Sequence, residues 1–147
     1  MKRTYYVLAI LAAIFFIFAS CSPNKIPAAP TSSISDIRAR LLAKQVGILS
    51  GNENVFKVSA TKSMLPFLDA NSFVVVEKII ALKDLRVGDI IVYQNNKLNK
   101  DVIHKVVYIG EYVTARGDNN SRDDEQEINL SEIKGRVFCI IYGRHNN

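Results

Sequence analysis

The chain is poor in the residues that announce a metal, a nucleotide or a disulfide framework. It has two cysteines and two histidines among 147 residues, none of them at the spacing of a metal site. No Gly-rich phosphate loop, internal repeat or low-complexity tract occurs. Lys and Arg are scattered, with no basic run interleaved with aromatics, so nucleic acid is not expected as a partner. The readings are therefore no cofactor and no metal. A formal charge of +5 is better matched by an anionic lipid surface. The length suits a single domain with a real core.

What is present begins with an apolar N-terminus. Lys2 and Arg3 precede an almost unbroken hydrocarbon run from Tyr5 to Phe18. This run is shorter than the roughly 20 residues a spanning helix needs and suits the core of a secretory signal. Phe18-Ala19-Ser20-Cys21 follows directly. Two small residues before a Cys resemble the bacterial lipobox, which implies a signal peptide over 1–20 and a lipidated Cys21. The alternative is an uncleaved anchor with an incidental Cys. Either reading predicts a chain held by membrane lipid on the extracytoplasmic face of a bacterial envelope. Ser22 lacks the acidic character that often signals inner-membrane retention. Cys139, in the run Val137 to Ile141, is expected to be a buried, inert thiol.

Residues 21–32 are rich in Pro, Ser and Ala and read as a tether. Ser33-Ile34-Ser35-Asp36 has the shape of a capping box, with Asp in place of Glu. Ile37, Leu41, Leu42, Val46 and Leu49 follow at helical spacing, which predicts one amphipathic helix over 33–50, ended by Gly51 and Asn52. Six strands are expected over 55–60, 73–80, 89–93, 102–109, 112–116 and 135–142. Asn95 to Asn99 reads as a hairpin loop and Gly110-Glu111 as a two-residue turn. The expected fold is mainly β: an antiparallel-rich, partly closed domain over 51–147 with one N-terminal helix.

Four segments could carry chemistry. In Thr61-Lys62-Ser63-Met64-Leu65-Pro66, a Pro-stiffened turn could hold Ser63 exposed as a nucleophile that also supplies an oxyanion donor, with the Thr61 hydroxyl as a second donor. The bland reading is a Ser/Thr turn. Leu85 to Tyr93 reads as a structural corner, with Gly88 in the turn and Asp89 bonding backbone. In Val102 to Val107, alternation points His104 and Lys105 to opposite faces; His104 is either a general base or a satisfied core histidine. Arg116 to Asp124 could be a solvated turn, a divalent-ion loop or the source of a carboxylate that orients His104.

In this order the segments resemble type I signal peptidases. The matching boxes are Ser63-Met64-Leu65-Pro66, Gly88-Asp89-Ile90-Ile91-Val92, Ile103-His104-Lys105-Val106 and Gly117-Asp118-Asn119-Asn120 with Asp123-Asp124. They extend the likeness from about Val55 to Tyr142. The His at the base position is similar to the family's Ser–His branch of endoplasmic reticulum, archaea and some bacteria. That likeness implies a signal-peptidase-like domain with Ser63 as nucleophile, His104 as base and Asp124, before Asp118, as the orienting carboxylate. Thr61 matches an oxyanion position, and the implied substrates are exported polypeptides. The chain departs from the pattern at Lys62, where relatives often carry Gly or a small or acidic residue. It departs again at Lys105, where they usually carry Arg. Lys105 is the rival base, as in the family's Ser–Lys branch, should a β-bulge break the alternation. A third departure is lipid in place of a spanning helix. The other function class is a catalytically silent envelope lipoprotein that binds peptides or partner proteins.

Overall fold

A computed structural model describes residues 26–52 and 54–144. The expected signal peptide, Cys21 and the first residues of the tether lie outside the described residues. Among the described residues one helix, α1 (Asp36–Leu49), precedes six strands: β1 (Val55–Lys57), β2 (Ser72–Glu77), β3 (Ile90–Asn95), β4 (Lys100–Ile109), β5 (Val113–Arg116) and β6 (Ile133–Tyr142). They form a single antiparallel sheet in the order β1-β2-β6-β3-β4-β5. The expected partial closure is not found. β1 and β5 are the two edges, and the sheet is open. Strand pattern alone does not tell whether two edges meet, because that depends on how far the accumulated twist curls the sheet. Among the described residues no helix is long and apolar enough to cross a membrane.

The strands fall where alternation placed them, with edges shifted by a few residues. β1 is shorter than expected: Val58 is buried, but the chain then turns. The turn at Gly110 takes in Tyr112, whose carbonyl accepts from Gly110 N at 3.0 Å. The Asn95 side chain closes the β3–β4 hairpin by accepting from Leu98 N at 2.9 Å. Two short 3₁₀ turns, Leu82–Asp84 and Leu130–Glu132, were not expected from the pattern.

The helix differs more instructively. Its N-cap is Ser35, which accepts from Arg38 N, so Asp36 opens the helix instead of closing a capping box with Ser33. At the other end Gly51 takes φ +71°, with Gly51 N bonded to Ile48 O and Asn52 N to Gly47 O. This is the left-handed termination that Gly favours. The buried face, however, is Ala39, Ala43 and Gly47. Ile37, Leu41, Leu42 and Leu49, expected inside, are exposed, and only Val46 among the anticipated set is half-buried. The cause is close approach. A Cβ placed on Gly143, at the end of β6, would lie 3.5 Å from the Ala39 Cβ and 3.8 Å from the Asp36 Cα. At that separation only small residues fit between helix and sheet.

The apolar residues gather in three clusters. Ala39, Ala43, Phe73 and Val75 lie between α1 and one face of β2. Val74 and Val76, on the other face of β2, pack with Val58, Met64, Leu68 and Val92. Ile91, Tyr93, Val106, Val113, Ala115 and Ile128 fill the β3–β5 region. Cys139 is half-buried beside the helix rather than fully enclosed, and forms no disulfide among the described residues. The last part of the expected tether lies against the domain: Ala29 is buried, and Ser32 bonds Tyr142 O at 2.6 Å and Gly143 O at 3.2 Å.

Candidate active site

Ser63 sits in the turn that follows β1. Its neighbours Met64 and Leu68 are buried, and the amides of Phe67 and Leu68 both bond Met64 O, at 3.0 and 2.9 Å. Burial of each such side chain is worth about 1.5–3 kcal/mol, so the turn is pinned from below and Ser63 is left half-exposed above it. Lys62 takes φ +61°. That left-handed conformation costs an L-residue about 1–2 kcal/mol and carries no steric cost for Gly.

His104 lies in the middle of β4, 7% exposed. The β3–β4 ladder is regular there, with Ile91 opposite His104 and Ile90 opposite Lys105. The irregularity in β4 falls at Val107, between the Val106–Ala115 and Tyr108–Thr114 pairs, so it leaves the alternation at His104 and Lys105 intact. His104 Nε2 lies 3.1 Å from Ser63 Oγ. On its other side, Nδ1 lies 2.6 Å from Asp124 Oδ2. Asp124 is held in place by its own amide, which bonds Ala115 O of β5 at 2.8 Å. Thr61 Oγ1 lies 3.1 Å from Ser63 Oγ.

Lys105 points elsewhere. Its ammonium is bonded to Asp118 Oδ1 and stands 4.9 Å from the centre of the Phe67 ring. Asp118 therefore holds Lys105 and does not orient the histidine. The third carboxylate of the loop, Asp123, pairs with Arg116 at 3.2 Å. The three acids thus have three separate partners. Among the described residues no cluster of three ligating side chains is found. Gly88 takes φ +100°, and Asp89 accepts from Arg86 N at 2.8 Å and from Arg136 Nη1 at 3.4 Å, the corner expected of that segment.

Two further residues serve the site. Tyr93, fully buried in β3, donates its hydroxyl to the same Asp124 Oδ2 at 2.8 Å. Burial first, then the Asp124 charge and hydrogen bond, push this phenol well above its usual range, so it remains a donor wherever the protein is folded. The directions of the bonds then follow. With Nδ1–H donating to Asp124, Nε2 is an acceptor for the Ser63 hydroxyl, and Thr61 donates to Ser63 Oγ. Tyr93→Phe is expected to cost about 1.5–3 kcal/mol, the worth of a hydrogen bond to a charged group, read as a lower denaturant midpoint. Its effect on kcat should be smaller than that of removing the Asp124 carboxylate.

Gly117 is the second. A Cβ there would meet Ser63 O at 2.6 Å, Asn120 Nδ2 at 3.0 Å and His104 Nε2 at 3.0 Å. The following loop is tied to the serine turn by Asn119 N to Ser63 O at 2.8 Å and Asn119 Nδ2 to Lys62 O at 3.1 Å. Any side chain at 117 would force serine and histidine apart. Gly117→Ala is expected to lower kcat by about 100-fold, the scale of a misplacement near 1 Å, and to destabilise by about 1–3 kcal/mol. Steady-state kinetics with a thermal melt would read both.

A cleft of about 200 Å³ opens beside Ser63. Phe56, Val58, Met64, Leu68, Val102 and Ile103 give it an apolar floor, and Lys62, Lys100, Asp101, Ser63 and His104 stand around it. One wall is the edge strand β1. No protein-family model and no curated protein sequence matches the chain. The serine, the imidazole and the carboxylate form one line of hydrogen bonds, an arrangement that can activate a hydroxyl for attack on a carbonyl.

Proposed function

We propose that the chain is a serine endopeptidase of signal-peptidase type, acting on exported polypeptides at the membrane surface of a bacterial envelope. The observation that carries this is the unbroken relay from Ser63 Oγ through His104 to Asp124, at 3.1 and 2.6 Å, at the mouth of an apolar cleft. Three of the four sequence boxes that resemble signal peptidases contain these residues in order, and the N-terminal signal and Cys21 would supply the envelope anchor.

The chemistry runs as an acyl transfer. His104 Nε2 takes the proton from Ser63 Oγ as that oxygen attacks the scissile carbonyl carbon. Asp124 holds the imidazole by Nδ1–H and stabilises the imidazolium. The Ser63 backbone N–H and the Thr61 hydroxyl, rotated away from Ser63 Oγ as that oxygen attacks, stabilise the oxyanion; losing one such donor typically costs about 100- to 1,000-fold in rate. The imidazolium then protonates the leaving amine, and an ester to Ser63 remains. Water, deprotonated by His104 Nε2, attacks the ester carbonyl; the bond to Ser63 Oγ breaks, the imidazolium returns its proton to that oxygen, and the new carboxyl terminus leaves. The substrate lies extended, with small residues before the cut, and pairs along the β1 edge.

Lys105→Arg provides a test that separates the two branches of chemistry. Arg keeps the charge opposite Asp118 but does not give up a proton in proteins. The purified full chain is expected to cleave an exported precursor peptide, and Lys105→Arg to stay within about tenfold of it, since a base would cost far more. A loss as deep as that of a nucleophile knockout would make Lys105 the base. Failure of the parent chain to cut any such precursor would favour the silent, peptide-binding lipoprotein.

A further inference from the structure

We propose that α1 lies on the surface of an anionic bilayer, with Ile37, Leu41 and Ile48 entering the headgroup region. The helix uses small residues, Ala39, Ala43 and Gly47, to reach the sheet. It leaves its large ones outside: Ile37 is 72% exposed, Leu41 55% and Ile48 64%. At 3.6 residues per turn these three lie within about 40° of one another around the helix, so they form one outward stripe. Leu42 and Leu49 are exposed as well. Arg40 and Lys44 border the stripe on one side and Arg38 on the other, all exposed. The one carboxylate of α1, Asp36, is bonded to Lys57 Nζ at 3.0 Å. An apolar stripe flanked by cations is the pattern of a helix lying in the membrane interface, with the long basic side chains reaching out to lipid phosphates.

Two observations choose lipid over a second copy of the chain. The flanking charges are all of one sign, so two such faces would repel, whereas anionic headgroups complement them. The chain also holds the helix close to its anchor. Ala29 is buried and Ser32 is bonded to β6, so the residues from Cys21 to Ala29 limit the distance between Cys21 and the domain. Those residues span at most roughly 30 Å when fully extended. This inference rests on the N-terminal anchor and is independent of the peptidase chemistry.

The chain has no tryptophan, so one introduced indole reports alone. The full chain carrying Leu41→Trp, with its anchor, would be reconstituted into vesicles of phosphatidylglycerol and phosphatidylcholine with brominated acyl chains. The comparison is Val87→Trp, at a 65% exposed position just before β3, outside the strands that α1 touches. Position 41 is expected to show blue-shifted emission, lose most of it to brominated lipid, and lose less in phosphatidylcholine alone. Position 87 should stay unquenched and open to acrylamide. Acrylamide-accessible, lipid-insensitive emission at 41 would overturn the proposal. So would blue-shifted emission without lipid quenching, which would mean protein covers the face, and so would equal quenching at both positions.

Discussion

Replacing Ser63 by Ala is expected to lower kcat for peptide cleavage by on the order of 10⁶ while leaving the fold in place. Among the described residues the hydrogen-bond partners of the Oγ are His104 Nε2 and the Thr61 hydroxyl, both at 3.1 Å, beside a cleft. The contacts that hold the turn are made by other atoms: Met64 and Leu68 are buried, and the Ser63 carbonyl still accepts from Asn119 N. A change in stability beyond about 1 kcal/mol is therefore not expected. His104→Gln should fall to the same level. The double variant should be no worse than either single one, because in the proposed mechanism serine and histidine act in one step and lose the same thing. Independent, multiplying losses in the double variant would show that the two residues do not work as a pair.

Asp124→Asn is expected to lower kcat by about 10⁴ with little change in KM. The reason lies in the two donors that meet at one oxygen. Asp124 Oδ2 accepts from Tyr93 at 2.8 Å and lies 2.6 Å from His104 Nδ1. An amide that keeps its oxygen toward the Tyr93 hydroxyl offers no acceptor of equal strength to Nδ1–H. Its NH₂, turned toward the ring, would select the tautomer with the proton on Nε2, which cannot take one from Ser63. Asp118→Asn is the matched comparison. That carboxylate is bonded to Lys105, so its loss should cost less than about tenfold in kcat. If the two substitutions changed places in severity, the histidine would be oriented by Asp118 and the relay described above would be wrong.

Much of this arrangement was legible in the sequence. Strand periodicity located all six strands and placed His104 and Lys105 on opposite faces, and the regular β3–β4 ladder keeps them there. The order of the strands was not legible. β6 inserts between β2 and β3, a long-range pairing with no local signal. Tyr93 was missed for a related reason. In β3 it reads as one more apolar residue on the Ile91 face, and only the register that sets it opposite Val102 brings its hydroxyl to Asp124. Gly117 was visible as part of a box, but what its missing Cβ spares, Ser63 O and His104 Nε2, depends on three distant segments meeting. The helix misled because large aliphatics at helical spacing usually mark a buried face. Here the close backbone of β6 selects Ala39, Ala43 and Gly47 for that face, and the same aliphatics are left for another surface.

The central claim is that Ser63 is an activated nucleophile, and covalent labelling tests it most directly. The purified full chain would be treated with a serine-directed acylating probe and the site of attachment read by mass spectrometry. One label per chain at Ser63, abolished in His104→Gln and retained in Lys105→Arg, is the predicted result. No label, or a label at Ser63 that persists undiminished without His104, would contradict it.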